Sequence, residues 1–347
     1  MTATYALLVE PSFNRVYTKQ APAVLAAELA FLDAMVLGGV VRETRRVDRG
    51  GAPFLELDLD DALTPEHLGA LVELSSVYVV FEVRDGALVP VDVAPVATYD
   101  DDLLTTLRYS GKTNEQFTKL LVNVAVAASS SASDRRLAGE RVRLLDPMAG
   151  RGTTLNQGLM LGFDVAGIEV EQRDTDAYAQ FLETWLKDKR VKHRVQSWSY
   201  RKGRPTTAHE TLITIKRSAL GEPADQLVDI IHDDTLNARE HVKRSSVDVV
   251  VGDLPYGIQH GSRTEQWGSS RNAAGLLADA LPVWRSVLRG GGALCLAFNR
   301  RTLARDDLVT LLGDAGFAVV GPDDTRFEHH VDRAITRDVI VATKPAS

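Results

Sequence analysis

From about Val142 onward the chain alternates short apolar runs with stretches whose apolar residues recur at helical spacing. The runs at 142–146, 164–169, 228–231, 247–252, 293–298, 317–320 and 337–343 have the length of strands. Val247–Gly252 is apolar but for Asp248, as a strand buried on both faces would be. Strands separated by helical segments pair in parallel, so the pattern predicts an α/β fold on a seven-stranded, mostly parallel sheet. A helix precedes that sheet, opening at Thr113 with Gln116 as capping-box partner and running to about Ala128. The following SSSASDRR reads as a polar loop.

The first ninety-odd residues keep a different rhythm. Tyr5–Val9 and Phe54–Leu59 read as strands, the second alternating apolar and polar side chains. Pro22–Val36 has helical apolar spacing and stops at Gly38-Gly39. A strand follows near Val40–Arg42, and Arg42–Arg49 reads as a solvated loop. Thr64-Pro65-Glu66 opens a second helix, with Thr64 as N-cap and Pro65 in the first helical position, and Val77–Val83 closes the unit. The order β-α-β-β-α-β is that of a small ferredoxin-like α+β module. Residues 1–96 are accordingly expected to form one domain and 97–347 another, with 87–112 as connector.

Composition changes little in this picture until charge is mapped along the chain. At 347 residues, 44% hydrophobic and 25% charged, the sequence has the balance of a globular protein. No apolar run has the length of a membrane span and the start lacks a basic n-region, so a cytoplasmic protein with no membrane partner is expected. Cys295, the single cysteine, sits in a strand-like run and reads as a buried small hydrophobe. No Cys/His cluster has metal-ligand spacing, so no metal is expected, and nothing points to an obligate protein partner. The net charge of −7 hides an uneven distribution: 187–217 holds ten Lys/Arg and two acids, a +8 island on a body of about −15. With Trp198 and Tyr200 inside it, that island suits a phosphate backbone with stackable bases, and a solvated hairpin is the plainer reading.

The chemistry concentrates at predicted strand ends. Asp253-Leu254-Pro255-Tyr256-Gly257 leaves the 247–252 strand, where open α/β sheets bind ligands. Pro255 holds Leu254 extended. A carboxylate and a carbonyl beside a ring suit a planar group with an exocyclic amine, and a strand-to-loop turn with a buried Tyr256 is the alternative. Asp146-Pro147-Met148-Ala149-Gly150-Arg151-Gly152-Thr153-Thr154 runs from strand to helix, and its glycines let backbone amides approach a ligand. With Glu169 at the next strand end to accept ribose hydroxyls, the pair reads as a nucleoside-cofactor pocket, against a tight turn as the alternative. Asp233 and Asp234 end the third strand, and adenine contact and helix N-cap are open roles for them. After the D-L-P-Y-G segment, Arg263 and Trp267 are placed to close over a substrate, with Trp267 equally a packing residue. For His329 and His330 a surface loop is the default.

In this order the motifs resemble the S-adenosylmethionine-dependent amino-methyltransferases. Within these the chain looks like the RNA guanine-N2-methyltransferase group, whose members often carry a THUMP domain. The resemblance covers roughly 105–345, including Arg108-Tyr109-Ser110-Gly111-Lys112-Thr113-Asn114 at the family's cofactor-methionine contact. It implies a Rossmann-like sheet and S-adenosylmethionine as cofactor, held by Thr113, Asp146, Pro147, Ala149, Gly150, Gly152, Thr153, Glu169, Asp233 and Asp234. It places Asp253, Leu254, Pro255 and Tyr256 at the reaction, and tRNA or rRNA as substrate. Lys192, Arg194, Arg201, Lys202, Arg204, Arg263 and Trp267 are then the RNA-contact candidates. The family usually has a proline where Leu254 stands, and the N-terminal module is too short for a ferredoxin-like unit plus a full THUMP domain. A DNA adenine or cytosine amino-methyltransferase and a protein-glutamine methyltransferase use a similar acceptor site and stay open.

Overall fold

The computed structural model describes residues 3–12, 14–93, 97–109, 111–200, 207–217, 224–255, 273–322, 327–331 and 335–346. The chain begins with β1 (Ala3–Val9), α1 (Arg15–Leu32), β2 (Val41–Arg49), β3 (Ala52–Leu59), α2 (Pro65–Val72), β4 (Val77–Arg84) and β5 (Ala87–Pro90). These strands form an antiparallel sheet in the order β2-β3-β1-β4-β5. The expected β-α-β-β-α-β sequence is present, and β5 adds an edge from residues read as connector. The Arg42–Arg49 segment is not a loop but most of β2. As an edge strand it carries its charges outward, with Arg45 paired to Asp58 and Arg49 to Glu56. Val16–Leu37 is long and apolar enough to cross a membrane, contrary to the sequence expectation. Here it buries Ala21, Val24, Leu25 and Leu29 in the core.

A short α3 (Asp102–Thr105) leads to α4 (Glu115–Ala128) and α5 (Ser130–Leu137). Asn114, not Thr113, caps α4 by accepting from the Phe117 N–H, and Gln116 reaches Glu10 instead. The SSSASDRR stretch is helical, because the Ser129 hydroxyl caps it at Ala132.

The remaining elements are β6 (Arg143–Asp146), α6 (Thr153–Met160), β7 (Asp164–Glu169), α7 (Gln172–Asp188), β8 (His193–Tyr200), β9 (Ala208–Ile215) and β10 (Gln226–His232). They continue with α8 (Ala238–His241), β11 (Val247–Asp253), α9 (Ala273–Val287), β12 (Leu288–Asn299), α10 (Arg305–Asp314), β13 (Ala318–Val319), β14 (His329–His330) and β15 (Thr336–Thr343). They build one mixed sheet in the order β13-β15-β12-β11-β6-β7-β10-β9-β8, with β14 paired to β15. Each of the seven expected strands is present, but among the described residues the sheet has ten. The basic segment supplies two of the extra three, as the antiparallel hairpin β8–β9 on the β10 edge.

Period-two alternation splits the apolar strands between two layers. Val249 and Val251 face the core that holds α4, α6 and the N-terminal sheet, whereas Val250 faces the core of α9 and α10. The N-terminal unit therefore shares a core with one face of the large sheet. Phe31 of α1 lies 6.1 Å from Phe327, and Gln20 exchanges two hydrogen bonds with the backbone of His330.

Candidate active site

Three adjacent parallel strands, β11, β6 and β7, bring Asp253, Asp146 and Glu169 to one edge of the sheet. β10 adds Asp233 and Asp234 just beyond its end. From β6 the chain steps to β7 and β10 on one side, then returns to β11 on the other. The crevice between β6 and β11 is thus the topological switch point, where such sheets take ligands. At strand spacing the four ends span about 14 Å.

The loop after β6 is held by its own backbone. Asp146 is buried and accepts from the Met148 N–H at 3.0 Å. Burial raises its pKa to about 7, and the nearby Glu169 and Asp253 carboxylates push the same way. Gly150 and Gly152 have φ of +50° and +77°. A Cβ on Gly152 would meet the Tyr178 ring at 2.4 Å, so this turn tolerates only glycine. Gly152 caps α6, whose Thr153 hydroxyl meets the Tyr109 hydroxyl at 3.0 Å. Arg151 lies over the Tyr109 ring and pairs with Asp174 at 2.9 Å, which walls one side of the loop.

Glu169 accepts from the Gly150 N–H at 2.8 Å and from the Glu171 N–H at 2.9 Å. Its burial raises the pKa against those two donors. The two aspartates after β10 divide their roles. Asp234 caps a 3-10 turn at the Leu236 N–H, while buried Asp233 accepts from Asn237 and faces His241 Nε2 at 2.7 Å. Burial opposes a charged His241, but Asp233 and Glu210 outweigh it and raise its pKa to about 8.

Asp253 lies half-buried at the end of β11. The Thr113 hydroxyl donates to its Oδ2 at 2.7 Å, and Arg337 Nη2 stands 3.4 Å from the same oxygen. The Leu254 N–H donates to the Ala297 carbonyl at 2.9 Å, and the Leu254 side chain is buried in the α9 core. Pro255 is exposed, and Tyr256 lies outside the described residues. The expected cofactor-binding residues thus gather with Asp253 along one edge. Sequence reasoning missed Tyr109 as a wall, His241 behind Asp233, and Arg337 beside Asp253. A charged pair opening an otherwise apolar final strand was the available signal for Arg337. It also misplaced His329, which is buried between Tyr17 and Phe117 rather than in a surface loop. Cys295 is buried as expected.

The hairpin candidates are dispersed. Lys192 and Arg194 are exposed but lie toward the start of β8, far from the site edge, whereas Trp198 lies toward that edge and is 41% exposed. Lys187, Lys189 and Lys216 are neutralised locally by Glu183, Asp100 with Asp102, and Asp225. Arg201, Lys202, Arg204, Arg263 and Trp267 lie outside the described residues.

A family model described as RMKL-like, methyltransferase domain matches residues 135–310, just over half of the chain and the span that carries every strand end described above but Arg337's. The chain belongs to this methyltransferase family. No curated protein matches the methyltransferase. Among solved structures it is similar to an rRNA methylase from Streptococcus thermophilus, at 12% identity over 59% of this chain and 87% of that one, TM-score 0.32. It is also similar to a putative RNA methyltransferase from Pyrococcus horikoshii, at 16% identity over 72% and 91%, TM-score 0.36. A third is the magnesium protoporphyrin IX methyltransferase of Synechocystis with bound SAM, at 13% identity over 68% and 86%, TM-score 0.34.

Proposed function

We propose that this methyltransferase uses S-adenosylmethionine to methylate an exocyclic amine of a nucleobase in RNA, with guanine N2 in tRNA or rRNA as the target. The observation that carries the reading is Asp253, fixed by the Thr113 hydroxyl at the switch point of the sheet and next to the glycine turn. S-adenosylmethionine supplies an electrophilic methyl group.

The residues present suit that cofactor. The Gly150–Gly152 turn leaves backbone room where a Cβ would not fit at Gly152, and Glu169 offers a carboxylate for ribose hydroxyls. Asp234, less buried than Asp233, is the better acceptor for an adenine amine, since Asp233 is committed to His241. Asp146 supplies negative charge toward a cationic ligand. Thr113, placed by the family resemblance at the methionine end, works through Asp253 in this reading.

Methyl transfer needs an aligned amine lone pair more than a strong base. Asp253 and the Leu254 carbonyl accept the two amine hydrogens and draw the lone pair out of conjugation. Both acceptors bind more strongly as positive charge grows on nitrogen, which is where they lower the barrier, and Asp253 would take the proton that the amine loses as the methyl–sulfur bond breaks. Leu254 can stand where the family has proline because its N–H and side chain are committed to the sheet and core, leaving the carbonyl for the substrate. Tyr256 then stacks on the base. Residues 1–96 act as a ferredoxin-like positioning domain for the RNA, 97–347 as the catalytic domain, and the β8–β9 hairpin as a basic contact beside it.

The experiment is to offer the chain methyl-labelled cofactor with tRNA, rRNA, DNA and protein fractions, then to analyse the labelled nucleosides. N2-methylguanosine from RNA is the expected product. Label in DNA or in glutamine would overturn the RNA assignment and leave the amine chemistry standing.

A further inference from the structure

An arginine taken out of water needs a carboxylate, and a flat aromatic face helps to hold it. Arg337 has both. It opens β15 opposite Asn299, and its side chain is 7% exposed. Its guanidinium lies 4.9 Å over the Phe117 ring, with Nη2 3.4 Å from the Asp253 carboxylate. Phe117 belongs to the first turn of α4, so the helix that follows Thr113 also provides the floor under Arg337.

Two described titratable neighbours add little charge beside this ion pair. His329 packs on Phe117 at 4.6 Å. Its burial, opposed by the Phe327 carbonyl and reinforced by Arg337, lowers its pKa to about 4, so it adds no positive charge near neutrality. Asp146, on the next strand, is raised to about 7 by burial and carries only part of a charge there.

We propose that Arg337 is a positioning and specificity residue that holds the Asp253 carboxylate against Thr113 and cancels its charge, so that the site takes a neutral conjugated amine and rejects an alkylammonium ion. This rests on the reading of Asp253 as the amine acceptor. An unpaired carboxylate at the end of a cleft attracts any cation that fits. A guanidinium against one of its oxygens removes most of that attraction but not its capacity to accept an N–H bond. A nucleobase amine needs only the acceptor, whereas an ammonium ion needs the net charge.

The test uses the full chain with Arg337→Met, Arg337→Lys, Arg337→Gln, Asp253→Asn and the double variant Arg337→Met/Asp253→Asn. Arg337→Met is expected to lower kcat roughly tenfold to a hundredfold with the KM for the cofactor unchanged. It should also bind methylammonium about tenfold more tightly, followed by the shift of the Thr113 amide resonance in the absence of RNA. Arg337→Lys should restore both properties, and neither effect should appear in the Asp253→Asn background. Arg337→Gln keeps a hydrogen-bonding head without charge, so it repeats the methylammonium result if the Met variant fails to fold. The proposal is overturned by a kcat loss that persists in the Asp253→Asn background, or by unchanged methylammonium binding in both uncharged variants. Full activity of Asp253→Asn would sink the amine-acceptor reading, while the methylammonium measurement would still judge the charge cancellation.

Discussion

β11 carries an aspartate near each end, and the two have opposite fates. Asp248, near the start, has a fully buried side chain that accepts from the Arg143 N–H at 2.8 Å and the Ser131 hydroxyl at 3.2 Å and forms ion pairs with Arg289 at 3.1 Å and Arg135 at 3.3 Å. Even so, burial leaves its pKa above the ordinary carboxylate value. Asp253, at the other end, is one-fifth exposed and takes Thr113 and Arg337 on a single oxygen. One strand thus places a structural carboxylate at its amino end and the proposed amine acceptor at its carboxyl end. The difference lies in how many elements cover each end. α5, β6 and β12 close over Asp248, while the described neighbours of Asp253 leave about a fifth of its side chain exposed at the crevice.

Exchanging the two residues' fates gives the largest expected effects. Asp253→Asn should cut methyl transfer by about a hundredfold or more and keep cofactor affinity within a few-fold, and it should lower the urea midpoint less than Asp248→Asn does, since Arg337 alone loses a charged partner. Asp248→Asn should do the reverse, costing about 3 kcal/mol in urea unfolding with kcat per folded molecule unchanged. If both variants lose activity in proportion to folded protein, the contrast between the ends disappears. Gly152→Ala comes next. Its Cβ must displace the Tyr178 ring from a backbone at φ +77°, so cofactor binding measured by calorimetry should weaken at least tenfold.

Proton exchange distinguishes the ends more gently. A cation bound beside Asp146 favours its carboxylate form, so cofactor binding near pH 7 should release protons and tighten as pH rises through 7. Calorimetry in buffers of different ionisation enthalpy reads that release, and its persistence in Asp146→Asn would assign it elsewhere. His241 is protonated more readily in the folded chain than in the unfolded one. Its contribution to stability is therefore complete below about pH 6.5 and lost as pH rises through about 8, and His241→Asn should flatten that part of the stability profile. The smallest effect is expected at the hairpin. Replacing Lys192 and Arg194 should lower the log–log salt slope of RNA binding by roughly 0.7–0.9 for every phosphate that they neutralise. An unchanged slope would make both residues solubilising charges.

The strands of the large sheet were legible because both of its faces are covered, which leaves continuous apolar runs such as Val249-Val250-Val251. Strands with one open face were not. β2 exposes most of its charged residues and β8 exposes Arg194, Gln196, Ser197 and Trp198, and nothing local in RETRRVDR or HRVQSWSY separates an edge strand from a loop. Capping was half legible: Thr64 was found, but Asn114 and Ser129 compete with neighbours of equal propensity, and tertiary contacts choose between them. The site was readable where a motif fixes the backbone, as at Gly150–Gly152 and Asp253-Leu254-Pro255. It was not readable where a partner arrives from far along the chain. Arg337 meets Asp253 only because β15 folds back antiparallel beside β12, and His329 is buried only because α1 packs over β14.

The contact between α1 and β14 has a further consequence. Tyr17 touches His329, His329 touches Phe117, Phe117 carries Arg337, and Arg337 reaches Asp253. The N-terminal unit therefore cannot be exchanged without recutting the wall beside Asp253. The β8–β9 hairpin, at the other edge of the sheet, has no such link to Asp253 among the contacts described.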